Sequence, residues 1–351
     1  MRTLITALTL LAGVSLTTAV DAQSARVRIV ATGGTIAGEQ AKAGEYGYKA
    51  GAFDVQQLID AVPNLGKLAV ISGEQVVKIG SQDMNDEVWL KLANRVNAIL
   101  ESPDNDGIVI THGTDTLEET SYFLSLVTHS DKPIVMVAAM RPATAVSADG
   151  PGNLYNAVAA AANPSARGRG VLISMNDELD YARNATKTNA TRVQTFVSVN
   201  RGPAALVNTG TISWFQPLDK KYGRSSAFST DGLRSLPRVD IIYAHPNMSV
   251  DLIDAAVRNG AKGLVIAGVG AGNMTQPAID RLASAAKQGI AVVRSSRTGS
   301  GIIYRNNEID DDKMGFVASG ELNPGKSRVL LQLALTKTKD AHQIQRYFDE
   351  Y

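Results

Sequence analysis

Short β-rich runs alternate with amphipathic helical stretches along most of this chain, and that alternation restricts the fold more than any other feature. Residues 27–31, 107–111, 133–138 and 170–174 read as strands, and residues 55–62, 86–100, 116–127 and 153–162 carry a helical period between them. Strands separated by helices are joined by crossovers, which gives a mostly parallel sheet covered by helices. Beyond Trp214 the texture changes, because residues 219–231 are polar, rich in Ser, Lys and Arg, and without period. A second set of strands is expected at residues 239–243, 263–267 and 291–294. With 351 residues there is room for two domains. The expectation is an α/β protein: a larger N-terminal parallel-sheet domain over 26–214, a linker over 215–237, and a smaller C-terminal α/β domain over 238–351.

The first residues obey different rules. Arg2 precedes residues 4–20, an apolar stretch interrupted only by Thr, Ser and Gly, and Val20-Asp21-Ala22 offers small or aliphatic side chains at a cleavage site. Residues 1–22 therefore read as a signal peptide, with a mature chain beginning near Gln23 and a periplasmic or secreted product. A membrane anchor is the alternative, but the run falls short of the ~20 apolar residues that a spanning helix needs. The chain contains no cysteine, which excludes disulfides, thiolate catalysis and iron–sulfur or zinc–thiolate centres. Thirty-five basic residues balance 34 acidic ones, for a net charge of +1. Nucleic acid and acidic membranes thus find no electrostatic footprint, and a small-molecule substrate is the better expectation.

Two stretches carry candidate chemistry. In ATGGTIAG, residues 31–38, a buried-type strand runs into Gly33-Gly34 and then Thr35. Paired glycines allow a tight turn and a close approach to the backbone. The glycine-punctuated segment 38–51 that follows has the make-up of a lid over an active site, or of a plain surface loop. The pattern GGxxxG is not the GxGxxG of a dinucleotide loop. In ITHGTDTLEET, residues 110–120, a strand breaks at His112-Gly113, and Thr116 and Glu119 have the spacing of a capping box. Thr114 and Asp115 then lie in a strand-to-helix turn at the carboxyl end of a parallel strand, where open α/β sheets bind ligands. Asp115 is placed either to pair with an ammonium group or to cap the helix, and His112 reads as a structural histidine. Lys187, centred in ATKTNAT, is an ordinary solvated lysine unless it reaches that turn, where it would favour an ionised threonine or accept its proton. Four scattered histidines show no metal-ligand spacing, there is no GxSxG elbow, and GVGAGN at 268–273 lacks the last glycine of a dinucleotide fingerprint.

Taken together, these residues are those of a known family. From about Arg28 to Tyr351 the chain closely resembles the bacterial type II L-asparaginases, the exported branch of the asparaginase/glutaminase family. ATGGTIAG and ITHGTDTLEET are its two signatures, and four further runs look like the family: GEQVVKIGSQDMND (73–86), AAMRPATAVSADGP (138–151), TKTNAT (186–191) and GFVASGELNP (315–324). The resemblance implies hydrolysis of L-asparagine to aspartate and ammonia, with weaker action on L-glutamine, without metal or organic cofactor. The rival readings are a dual glutaminase-asparaginase and, in another class, an exported amino-acid-binding protein.

Roles follow from the resemblance position by position. Thr35 matches the mobile-loop nucleophile and Tyr48 the lid tyrosine that orients it. Thr114 matches the second catalytic threonine, coupled to Lys187, and Asp115 the carboxylate that holds the substrate's α-ammonium. Ser81 and Gln82 match the pair that binds the α-carboxylate and α-amino groups; strong glutaminases of the family often carry Glu where Gln82 stands. Asn273 and Glu308 match residues lent by a neighbouring subunit, which implies a homotetramer built from two intimate dimers. Many relatives also carry a disulfide, which this chain cannot form.

Overall fold

The computed structural model describes residues 24–42 and 47–351. The signal-peptide reading of residues 1–22, and residues 43–46 within the segment 38–51 read as a lid, fall outside the described residues. The larger domain is built on an eight-stranded sheet. From one edge its order is Val70–Ile79, Arg26–Gly33, Gly107–Thr111, Ile134–Val137, Val171–Met175, Glu178–Tyr181, Ala205–Asn208 and Thr211–Trp214. Pairing is parallel as far as Val171–Met175 and antiparallel beyond it. The central strands Gly107–Thr111, Ile134–Val137 and Val171–Met175 are buried at every position, as a sheet with helices on both faces requires. Asp86–Glu101 and Leu117–Val127 cover one face, and Val55–Asp60 with Gly150–Ala162 cover the other.

The first strand of the chain lies between the second and the third, so crossovers wind away from it in opposite directions. Such a reversal leaves a crevice outside the carboxyl ends of the two strands that meet there. Here those strands are Arg26–Gly33 and Gly107–Thr111, joined in parallel register from Val27↔Gly107 to Ala31↔Thr111. Both candidate threonines stand just past these strand ends.

The smaller domain holds a four-stranded parallel sheet in sequence order, Val239–Tyr243, Gly263–Gly268, Ala291–Ser296 and Phe316–Ala318. Helices Asp251–Arg258 and Gln276–Lys287 pack on one face. On the other, Pro324–Leu335 and Ala341–Glu350 join a core shared with the larger domain, in which Val30 and Ile110 of one sheet and Val265, Val293 and Val317 of the other belong to one apolar cluster. Leu117–Val127 is buried along nearly its whole length because it lies between the larger sheet and this second layer of helices.

One expectation needs amending. Thr116 does occupy the position before helix Leu117–Val127, but its side chain makes no cap hydrogen bond and no capping box with Glu119 forms. Its hydroxyl instead donates to the Ser81 carbonyl at 2.7 Å, tying the helix start to the neighbouring loop. The connecting segment 215–237 contains no strand and is anchored on the C-terminal helix. Phe228 is 0% exposed, with its ring 5.0 Å from those of Tyr347 and Tyr351, and Ala227 N–H donates to the Tyr351 hydroxyl at 2.7 Å.

Truncating that anchor removes a fully enclosed aromatic ring and leaves a cavity. Phe228→Ala is expected to lower the stability to urea unfolding by about 3–5 kcal/mol, whereas a substitution at a solvated linker position would change it by less than about 0.5 kcal/mol.

Candidate functional site

The site begins with a contact between two backbones. After the first strand, Gly33 and Gly34 take φ values of 108° and 82°, which only glycine adopts without strain. A Cβ on Gly34 would stand 2.3 Å from Gly113 N and 2.4 Å from Gly113 Cα, and one on Gly33 would stand 2.4 Å from the Ile79 carbonyl oxygen. One on Gly113 would press on the Ser81 hydroxyl at 2.6 Å. Three strand ends therefore converge with no room for side chains, and the turns that follow them deliver Thr35, Ser81 and Thr114 to one place. All three are buried.

Two hydrogen-bonded groups result. Thr35 opens the short turn Thr35–Ala37, and its Oγ1 lies 2.8 Å from the Tyr48 hydroxyl. Tyr48 comes from the ribbon in which Gln40 pairs with Tyr48 and Glu39 with Lys49. That ribbon is anchored at its base by Gly51 N–H to the Gly34 carbonyl at 2.9 Å and Ala143 N–H to the Gly38 carbonyl at 3.0 Å. Tyr48 itself is 44% exposed, so the phenol closes the group from the solvent side.

In the second group, Lys187 Nζ donates to Thr114 Oγ1 at 2.9 Å and to Asp115 Oδ1 at 2.6 Å. The Lys187 side chain is 16% exposed and that of Asp115 is 60% exposed. The lysine is thus held inward against the threonine while the carboxylate faces the crevice, and no hydrogen bond among the described residues engages its Oδ2. Ser81 Oγ accepts from the Asp115 N–H at 3.1 Å, which leaves the serine hydrogen free for another acceptor. An ammonium beside Thr114 favours the ionised hydroxyl, and a carboxylate beside a hydroxyl donor suits a ligand carrying both an ammonium and a carboxylate.

Lys187 reaches the turn because its own segment is clamped. Thr186–Lys187 pairs with Phe196–Val197. Behind it, the buried Lys326 ammonium donates to the carbonyls of Arg183, at 2.9 Å, and Ala185, while Asn323 donates to Glu118 at 3.0 Å and to Thr186 at 3.3 Å. Burial pushes the Lys326 pKa down to about 8, against Glu118, which raises it. Neither Lys326 nor Asn323 was singled out in the sequence. They lie in an unremarkable helix start, and only their juxtaposition with residues 183–187 gives them meaning.

Gln82 is exposed at the strand end, its amide turned towards Asp83 at 3.4 Å. Asn273 and Glu308 meet each other, the asparagine amide donating to the carboxylate, on loops of the smaller domain. No hydrogen bond among the described residues joins that pair to Thr35, Thr114 or Lys187. His112 is entirely buried, and its Nδ1 lies 2.7 Å from the Gly113 carbonyl, which can only accept; Nδ1 therefore carries the hydrogen. Burial, opposed by that carbonyl, pushes its pKa down to about 4. It is a neutral brace for the Gly113 turn. Among the described residues no group of three or more His, Asp or Glu side chains is placed to hold a metal ion.

Fold and site define a class of protein: two parallel-sheet α/β domains, with threonine hydroxyls, a lysine and a carboxylate gathered at the switch point of the larger one. The chain belongs to the asparaginase family. The family model described as the asparaginase N-terminal domain matches residues 26–220, and that of the glutaminase/asparaginase C-terminal domain matches residues 238–348. A probable periplasmic L-asparaginase of Haemophilus influenzae is 52% identical over 339 residues, covering 97% of this chain and 96% of that protein. L-asparaginase 2 of Escherichia coli is 52% identical and covers 93% of each chain. A glutaminase-asparaginase of Pseudomonas fluorescens biotype A is 45% identical, covering 93% of this chain and 91% of its own length. Among solved structures, a probable cytoplasmic L-asparaginase of Campylobacter jejuni superposes with a TM-score of 0.90 at 45% identity, covering 93% of this chain and all of its own. Among the described residues no helix is long and apolar enough to cross a membrane.

The buried imidazole makes a pH prediction. Its folded pKa of about 4 lies below the ordinary 6.5, so the unfolded chain takes up this proton first as pH falls. Its contribution is therefore fully present above pH 6.5 and is lost as pH falls towards 4, a loss on the order of 3 kcal/mol. Urea unfolding at pH 7 and pH 4 should show a smaller pH-dependent loss in His112→Gln than in the parent, the difference approaching that amount.

Proposed function

We propose that this protein hydrolyses L-asparagine to L-aspartate and ammonia through a covalent ester on Thr35. The observation that carries the reading is the pair of hydroxyl groups on either side of the Gly34–Gly113 contact, Thr35 bonded to Tyr48 and Thr114 bonded to Lys187. In this reading Thr35 Oγ1 attacks the side-chain amide carbon, and its proton passes through the neighbouring hydroxyl groups towards the amide nitrogen. The amide nitrogen takes a proton and leaves as ammonia. Water then attacks the ester, releases aspartate and restores the Thr35 hydroxyl. Asp115 Oδ2 receives the substrate's α-ammonium, and the Ser81 hydroxyl, with Gln82, its α-carboxylate. The names of the relatives support the substrate class, since those proteins are L-asparaginases or glutaminase-asparaginases.

Asn273 and Glu308, separate from the threonines within one chain, serve the site of a neighbouring subunit in this reading. The working form is then a homotetramer of two intimate dimers, with each site shared between the larger domain of one chain and the smaller domain of another. Residues 1–22 direct export, in keeping with the periplasmic name of the Haemophilus influenzae relative.

Ammonia release on adding asparagine is the direct assay, and a protein that only binds amino acids would give none. Thr35→Ala, folded by thermal melting, should lose at least about 10³-fold in kcat, a barrier increase of about 4 kcal/mol. Retention of more than a few per cent of parental turnover rejects Thr35 as nucleophile.

Asparagine should exceed glutamine in kcat/KM by tens to hundreds of fold, because one methylene is worth only about 1–3 kcal/mol. Equal values would favour the dual glutaminase-asparaginase, which the Pseudomonas fluorescens similarity keeps in view. For the shared site, mixing Thr35→Ala with Glu308→Ala subunits under exchange should restore activity above either parent. Sites built within one chain would restore none.

A further inference from the structure

We propose that Arg294 and Asp311, which lie outside the crevice, are positioning residues that set Asn273 and Glu308 at the distance the substrate requires. The proposal rests on the reading of those two as substrate-binding residues. Arg294 lies within strand Ala291–Ser296, which is buried at every position, and Asp311 begins the turn Asp311–Met314. Their side chains are 1% and 0% exposed. The pairing is bidentate: Nε to Oδ1 at 2.6 Å and Nη2 to Oδ2 at 2.7 Å.

The remaining donors of the guanidinium go to two different loops. Nη1 donates to the Ala271 carbonyl at 3.1 Å, just ahead of Asn273. Nη2 donates to the Tyr304 carbonyl at 3.2 Å, on the loop that leads to Glu308. Asp311 Oδ2 also accepts the Asn306 N–H at 2.9 Å, a second hold on that same loop. The first loop is closed on itself by the Val269 and Asn273 backbone pair, at 2.8 and 2.9 Å, and Gly272 at φ 82° lets it lie against the guanidinium. A Cβ there would stand 3.1 Å from Nη1. One planar group thus fixes both loops against one strand, and the loop tips meet in the Asn273–Glu308 hydrogen bond.

Stability alone does not explain such a pair. A buried ion pair is often replaced by apolar residues of similar volume without loss, because desolvation offsets the attraction. What apolar residues cannot supply is a rigid fork that reaches two carbonyls and a carboxylate at once, and lysine, a point charge on a flexible stem, cannot supply it either. The expected phenotype is therefore a displaced binding pair in a folded protein.

The test uses Arg294→Met/Asp311→Leu, which removes both buried charges, and Arg294→Lys as a second variant that keeps the charge paired. Folding and assembly are checked by thermal melting and sedimentation. Both should fold, with kcat/KM for asparagine lower by about tenfold to a hundredfold, chiefly through KM, the scale expected for a displacement near 1 Å. Adding Glu308→Gln should cause little further loss, since the contact is already misplaced. A folded variant within twofold of the parent overturns the proposal. So does a loss that multiplies with that of Glu308→Gln, because a purely structural defect acts independently of the site. If neither variant folds, hydrogen exchange on the unsubstituted protein decides: the amides of Asn273 and Asn306 should open together, and independent opening overturns the coupling. Should Glu308→Gln and Asn273→Ala alone leave kcat/KM unchanged, the reading of the site fails on those variants, and the proposal with it.

Discussion

The arrangement depends on one steric constraint, the contact between the Gly34 and Gly113 backbones outside the ends of two adjacent parallel strands. Two chains approach to this distance only where neither carries a side chain, and Gly34 must also adopt a left-handed φ. Everything chemical follows from that closeness. Thr35 leaves one member of the pair and Thr114 the other, so two hydroxyls from distant sequence share a crevice with different partners. His112 braces the same turn from beneath through the Gly113 carbonyl, and its neutrality keeps an uncompensated charge out of the sheet. Ser81 completes the floor. A methyl group on either glycine would separate what the fold brings together before it affected any polar contact.

The two domains contribute unequal kinds of order. The larger domain presents its groups on strand ends, where parallel pairing fixes them to the sheet. The smaller domain carries Asn273 and Glu308 on loops outside its sheet, and an ion pair sunk below them ties those loops together. Lys187 is an intermediate case, since its two-residue strand is short and is steadied by Lys326 and Asn323 from a helix start of the other domain.

Much of this was legible in the sequence, for reasons that differ from place to place. The central strands Gly107–Thr111 and Ile134–Val137 stand out because burial on both faces demands uninterrupted apolar residues. Val70–Ile79 did not, because an edge strand with half-exposed positions can carry Ser, Gly, Glu, Gln and Lys. The antiparallel strands Ala205–Asn208 and Thr211–Trp214 were hidden by their shortness. At the site, GG before Thr35 and the strand-to-helix turn at Thr114 pointed to the crevice, but the Lys187 contact spans 73 residues, and no local pattern encodes it. Its expectation came from family resemblance. Thr116 shows the opposite failure: the spacing of a capping box was present, yet its hydroxyl is turned to donate to the Ser81 carbonyl and accepts from no helix N–H.

The apolar cluster that runs from Val30 and Ile110 through Leu117–Val127 to Val265 and Val317 has a kinetic consequence. Two α/β lobes joined by a thin waist can swing shut on a ligand like a clamshell, and the free energy of closure then belongs to the whole molecule. A continuous dry core forbids that swing, since opening the lobes would expose side chains from both sheets. The two-residue strands that carry Tyr48 lie outside that core, so a change there leaves the packing of the two sheets intact. Substitutions at the rim of the crevice are thereby uncoupled from the stability of the body, which stays as firm as before.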